Sequence, residues 1–134
     1  MKAFTLLRVI CRIILPFIIL FGLFIIVNGD LSSGGGFQGG VVLASAFLVV
    51  YFINEAKPLP FSRIIRIEKG LFVLLILSGL LYMLVYQAVR NMFTKELMHL
   101  FMEWSMIYLN LLIGFKVAIG FCGIMAIFIE EGNP

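Results

Sequence analysis

The stretch that decides the fold is NGDLSSGGGFQGGVVLASA, residues 28–46. One apolar segment ends here, a glycine cluster follows, and a second apolar segment begins at once; five of the seven residues from Gly34 to Gly40 are glycine. Taken literally, Gly34, Gly36 and Gly39 satisfy G-x-G-x-x-G, but a dinucleotide fingerprint needs a strand before it and a soluble helix after it inside a βαβ unit. Here the flanks are residues 13–27, fifteen residues interrupted by nothing more polar than Pro16 and Gly22, and the apolar residues 41–53. The cluster joins two hydrophobic segments, and the dinucleotide reading is rejected.

A helix over residues 41–53 alone would be about 20 Å long at 1.5 Å per residue, short of a hydrocarbon core of about 30 Å. Starting the helix near Gly34 brings it to about 30 Å and sets Gly36, Gly40 and Ala44 on one face, beside Gly35 and Gly39, with Phe37 and Gln38 between them. Small residues at that spacing let backbones approach closely, which is how helices associate where lipid supplies no hydrophobic driving force. The other reading is an unwound segment whose free N–H and C=O groups line a wet cavity, tolerated at membrane depth only where protein or water satisfies them.

Composition agrees with a membrane chain. Of 134 residues, 63% are hydrophobic and 13% charged, and the mean hydropathy is +1.16, far more apolar than a soluble domain can hide. Segments of about 20 residues allow roughly four helices. The predicted fold is therefore an all-α integral membrane protein, one domain over residues 1–134, with transmembrane helices near 4–28, 34–53, 67–89 and 106–129. The net charge of +3 does not point to nucleic acid, because the basic residues adjoin the hydrophobic segments and report topology. Cys11 and Cys122 lie in apolar stretches without C-x-x-C spacing, and His99 is the single histidine, so no disulfide, metal or cofactor is expected.

Along the chain, Lys2, Arg8 and Arg12 sit among apolar residues, where arginines can snorkel to the interface. A charged start before an apolar run also resembles a signal peptide, with Gly29 near a cleavage point, but three further hydrophobic segments make an uncleaved first helix sufficient. Pro16 falls close to the start of the apolar run, where it costs least. Asn28, Asp30, Ser32 and Ser33 form the polar turn between the first two segments, with Asp30 or Ser33 a candidate helix cap. Pro58 and Pro60 forbid a continuous helix after the second segment, and Arg63, Arg66 and Lys69 mark a boundary.

From residue 90 to 104 the pattern turns amphipathic. Phe93, Leu97, Leu100, Phe101 and Trp104 share one side, and Lys95, Glu96, His99 and Glu103 the other. This is either a short amphipathic interfacial helix or an extension of a transmembrane helix beyond the lipid. Lysines and arginines number seven on the side of the N-terminus and second loop, against two in the third loop and none in the first. That bias puts both termini in the cytoplasm of a multi-pass cell-membrane protein.

Lys116 is the residue that lipid does not accept in passing. Within residues 106–129 it lies about 15 Å from one end and 20 Å from the other, and an unpaired charge there costs at least about 2.5 to 3.5 kcal/mol on insertion scales. It is either a snorkelling or internally paired structural lysine, or one that faces protein or water with a pKa lowered by desolvation. Glu68, Glu103 and Asp30 all fall at predicted helix ends, so the expected counter-charge comes from another subunit.

Residues 15–46, LPFIILFGLFIIVNGDLSSGGGFQGGVVLASA, and 110–128, NLLIGFKVAIGFCGIMAIF, resemble the MnhB (MrpB) family, small membrane subunits of multisubunit Na+/H+ antiporters. The family carries an apolar helix, a polar turn and a Gly-Gly-Gly-Phe-x-Gly-Gly motif, here Gly34 to Gly40, and its last helix has a lysine, here Lys116. One departure is Ser33, where the family usually has proline; serine can cap the helix instead of presetting it. The resemblance implies four helices and work inside a larger assembly, beside antiporter-like subunits that carry the main proton paths. It equally fits the related subunit of a membrane-bound hydrogenase or respiratory complex that pumps ions by redox energy.

The expected function is a non-catalytic subunit contributing to a Na+ and H+ path and to assembly. The ion-path candidates are Lys116, Asp30, Asn28, Glu103 and His99. A purely structural brace is the alternative within such a complex. An enzyme is not expected: no nucleophile, base and orienting group can be named together, and Tyr82, Tyr86 and Tyr108 read as interfacial or packing aromatics.

Overall fold

The computed structural model describes residues 2–29, 31, 34–53, 61–90 and 94–131. Among them the chain forms helices only: α1 Lys2–Val27, α2 Gly35–Ile53, α3 Phe61–Val89 and α4 Lys95–Glu131. Thr5–Val27, Ser62–Val89 and Lys95–Phe128 are long and apolar enough to cross a membrane, whereas the apolar part of α2, Gly35–Tyr51, is shorter. The 19 residues of α2 span about 28 Å, close to one hydrocarbon thickness. The protein is an all-α integral membrane protein.

Two helix starts depart from the sequence expectation. α3 begins at Phe61, directly after Pro60 in sequence, not near residue 67. The apolar run does start near residue 70, but nothing between Ser62 and Lys69 breaks a helix; charge lowers the hydropathy there without ending the helix. α4 is one uninterrupted helix of 37 residues, so the amphipathic segment is its first turns and not a separate interfacial element. No proline or glycine falls between Lys95 and Ile113, and Ser105, near the expected break, donates its hydroxyl to the Phe101 carbonyl at 2.6 Å within the helix. Pro16, close to the start of the apolar run, stands in the middle of α1; it leaves the Arg12 carbonyl without its usual donor, which membrane helices tolerate.

The polar turn closes α1 and opens α2. Asn28 donates both its backbone N–H (3.1 Å) and its side-chain amide (2.9 Å) to the Phe24 carbonyl. Gly34 and Gly35 have φ of 104° and 39°, left-handed values that a β-carbon disfavours. Helical bonding starts here, with Gln38 N–H donating to the Gly34 carbonyl at 3.1 Å. The glycine cluster is thus a two-residue left-handed lead-in followed by regular helix.

From Gly35 on, the glycines divide between two neighbours. Gly36 and Gly40 face α4: a β-carbon on Gly36 would overlap the Asn110 carbonyl oxygen, and one on Gly40 would come within 2.5 Å of the Gly114 carbonyl oxygen. Gly39 faces α1, where a β-carbon would overlap Ile26 and come within 2.7 Å of the Gly22 carbonyl oxygen. The contacts are reciprocal, since β-carbons on Gly22 and Gly114 would crowd Leu43 and Ile26 respectively. Ile26, fully buried, fills the junction of α1, α2 and α4, and Ala44, Ala46 and Ala118 are also buried. Gly36 and Gly40 thus lie at the contact with α4, Gly39 lies at the contact with α1, and Ala44 is buried.

Among the described residues, α3 stands apart from this cluster and packs on α4 alone. Tyr82 stacks on Phe101 with ring centroids 5.7 Å apart and planes within 9°, and a β-carbon on Gly123 would touch Ile64 at 3.5 Å. These contacts fix an antiparallel register between α3 and α4. They also set α3 well out of step with α1 and α2, because the residues of α4 that meet the start of α3 are those that meet the second half of α2.

Candidate functional site

The site is assembled at the α3–α4 contact. Lys116 projects from α4 onto two residues of α3 one turn apart, and i, i+4 residues share a helix face. Its Nζ donates to Glu68 Oε1 at 2.9 Å and lies 5.2 Å from the centroid of the Phe72 ring. The lysine and glutamate side chains are 28% and 31% exposed, so the pair is mostly withdrawn from solvent while one side remains open. A carboxylate and an aromatic face together offset much of the cost of placing an ammonium among apolar helices.

This geometry corrects the expected source of the counter-charge. It comes from the same chain, because the early start of α3 puts Glu68 seven residues inside the helix and brings it level with Lys116. The desolvation argument for a neutral lysine assumed an unpaired ammonium, and that premise no longer holds.

The other candidates do not join the pair. Asn28 caps α1. His99 Nδ1 and Glu103 Oε1 are 3.2 Å apart on an exposed turn of α4, 75% and 53% exposed, and about 20 to 25 Å along the helix from Lys116; an i, i+4 pair in that setting is worth little. Asp30 lies outside the described residues.

Asn110, by contrast, is not among the candidates named from the sequence, and it stands at a helix junction. Its amide nitrogen would be 2.6 Å from a β-carbon on Gly29, and its Oδ1 3.2 Å from one on Gly35. It therefore sits where α1 ends, α2 begins and α4 passes. The available signal was that it is the one uncharged amide within the last apolar segment.

An open groove of about 420 Å³ lies between α3 and α4 away from the pair, lined by residues including Tyr82, Phe101, Trp104 and Tyr108 and by neither Lys116 nor Glu68. Its two serines spend their hydroxyls on carbonyls of their own helices, Ser78 on Leu75 at 2.9 Å and Ser105 on Phe101 at 2.6 Å. The wall is accordingly mostly apolar.

Levels along the helices expose a further cluster of charge. Glu68 is level with Lys116, and Lys116 lies between the residues of α4 that touch Gly40, namely Gly114 and Val117. From Gly40 to the end of α2 is about 20 Å, so Arg63, Arg66 and Lys69 lie about 12, 17 and 21 Å inside that end. All three are exposed. On the other side, α3 runs about 24 Å past the start of α2, carrying exposed Leu77, Leu80, Leu81 and Leu84. A single flat hydrocarbon layer of about 30 Å does not match both pairs of helices, and an unpaired charge at mid-depth costs about 2.5 to 3.5 kcal/mol.

A bundle of hydrophobic helices with glycine-packed backbones and an ion pair between two of them defines a polytopic membrane protein. Residues 6–123 match a family described as "Domain related to MnhB subunit of Na+/H+ antiporter". The chain belongs to the MnhB family. Among curated proteins it is 30% identical over 74 residues to a Staphylococcus haemolyticus protein named "Putative antiporter subunit mnhB2", covering 55% of this chain and 52% of that one. It is 33% identical over 51 residues to a Staphylococcus saprophyticus protein of the same name, covering 38% of this chain and 36% of that one. The chain thus aligns with about half of the first relative and about a third of the second. No solved structure matches it.

Proposed function

We propose that the protein is a non-catalytic membrane subunit of a multisubunit Na+/H+ antiporter of the Mrp type, contributing to the ion path and to assembly. The observation that carries the reading is the Lys116–Glu68 pair: two opposite charges, 2.9 Å apart and less than a third exposed, within the helices of a chain that belongs to the MnhB family. Ionisable residues inside transmembrane segments are rare and mark ion or proton pathways by default. A pair that is open on one side can bias a passing cation or proton electrostatically without itself performing chemistry. The glycine seams support the assembly role, since they hold α1, α2 and α4 as a unit against which α3 presents its free faces to neighbouring subunits.

In this reading the host is the cell membrane, with the N-terminus, the segment between α2 and α3 and the C-terminus in the cytoplasm. The partners are antiporter-type subunits that carry the principal proton routes, and Na+ and H+ are the ions exchanged by the whole assembly. Gentle detergent extraction of the tagged native protein, followed by identification of what travels with it, tests the proposal. Antiporter-type membrane subunits are the expected companions. A chain that extracts alone as a defined oligomer, or only with iron–sulfur or nickel-containing subunits, contradicts it.

A further inference from the structure

The basic face of α3 has no counterpart among the described residues. At 100° per residue, Glu68 and the α4-facing residues Ile64 and Tyr82 occupy one side of the helix, while Arg66 points the opposite way and Arg63 and Lys69 flank it. Glu68 is committed to Lys116, and among the described residues no carboxylate pairs with Arg63, Arg66 or Lys69. The same face continues as an apolar stripe through Val73, Leu77, Leu80 and Leu84, which are 55%, 60%, 56% and 67% exposed. The steps from Arg66 to Val73 and Leu80, and from Leu77 to Leu84, are seven residues, the repeat at which one helix packs along another.

The chemistry of that face selects its occupant. Lipid tails satisfy Leu77 and Leu84 but not Arg66 and Lys69, which lie about 17 and 21 Å inside the end of α2, beyond the reach of a snorkelling side chain to a phosphate at that boundary. A soluble acidic protein satisfies the charges but not the leucines. We propose that this face seats a transmembrane helix of a partner subunit whose apolar span carries carboxylates at the level of Arg66 and Lys69. The proposal rests on the subunit reading above and names the chemistry by which α3 recognises its neighbour. It also accounts for the offset between α3 and the α1–α2 pair, because charges covered by a partner helix need not coincide with the edge of the lipid.

The test is photo-crosslinking in native membranes, with p-benzoylphenylalanine replacing Leu77 in the full chain expressed with its native neighbours, and sequencing of the crosslinked peptide. The expected product is a peptide from a different subunit that carries Asp or Glu inside a hydrophobic span. Its yield should fall at least tenfold in Arg66→Glu and be retained in Arg66→Lys; if Arg66→Glu does not accumulate, Arg66→Gln should show the same loss. Crosslinks to phospholipid alone, to a second copy of this chain, or to a span without carboxylates overturn the proposal, as does a yield indifferent to Arg66→Glu. If the chain still extracts with antiporter subunits while Leu77 reaches only lipid, this proposal fails and the subunit reading stands. If it extracts alone, both fail.

Discussion

At the residue scale the protein turns on two kinds of contact, glycine against backbone and lysine against glutamate. Gly36 and Gly40 allow the backbones of α2 and α4 to meet, so Gly36→Ala should force the helices apart at a cost of about 1 to 3 kcal/mol, the range for overpacking. Gly70→Ala and Gly79→Ala, which have nothing within 4 Å of the added carbon, should be neutral or stabilising by up to about 1 kcal/mol. Denaturation of the purified chain in mild detergent separates the two classes. Glu68→Gln should cost about 1 to 2 kcal/mol in the same assay, between an exposed and a wholly buried ion pair, because each partner is about 30% exposed. Combining it with Lys116→Met should recover most of that loss. The lysine was legible in the sequence as a charge inside an apolar run. Its partner was not, because Glu68 stands just before the apolar part of α3, and only the position of the helix start reveals that it reaches the level of Lys116.

At the element scale, most of the layout followed from hydropathy. The extents of α1 and α2 and the small-residue face of α2 were legible because lipid thickness fixes length and glycine spacing fixes the packing face. The starts of α3 and α4 were not, because a helix continues wherever no residue breaks it, whatever its hydropathy, and Arg63 to Lys69 and Lys95 to Ser105 contain no breaker. The register of α3 on α4 depends on side-chain fit between distant segments, which periodicity does not encode. It predicts that Ile64→Cys with Gly123→Cys, in a chain with Cys11 and Cys122 replaced by alanine, forms a disulfide rapidly under mild oxidation, since the contact there is 3.5 Å. Ile64→Cys with Gly120→Cys, one turn away, should crosslink poorly, since nothing lies within 4 Å of a β-carbon on Gly120. Equal crosslinking of both pairs would mean that α3 slides on α4.

At the scale of the whole molecule, α1, α2 and α4 form a glycine-packed unit and α3 hangs on its far side through α4, holding the ion pair at the junction. The family was legible from the Gly34 to Gly40 motif and the last helix. The division of the molecule into a packed trio and an outlying helix was not, because every helix is similarly apolar and which pairs touch is settled by small residues on three chain segments at once. The most direct test of the central claim, that Lys116 and Glu68 act together on the ion path, is Na+-dependent proton exchange in vesicles containing the assembled complex. Lys116→Ala and Glu68→Gln should each lower exchange at least tenfold while assembly persists, and the swap Lys116→Glu with Glu68→Lys should restore part of it. Full exchange by an assembled Lys116→Ala complex would contradict the account.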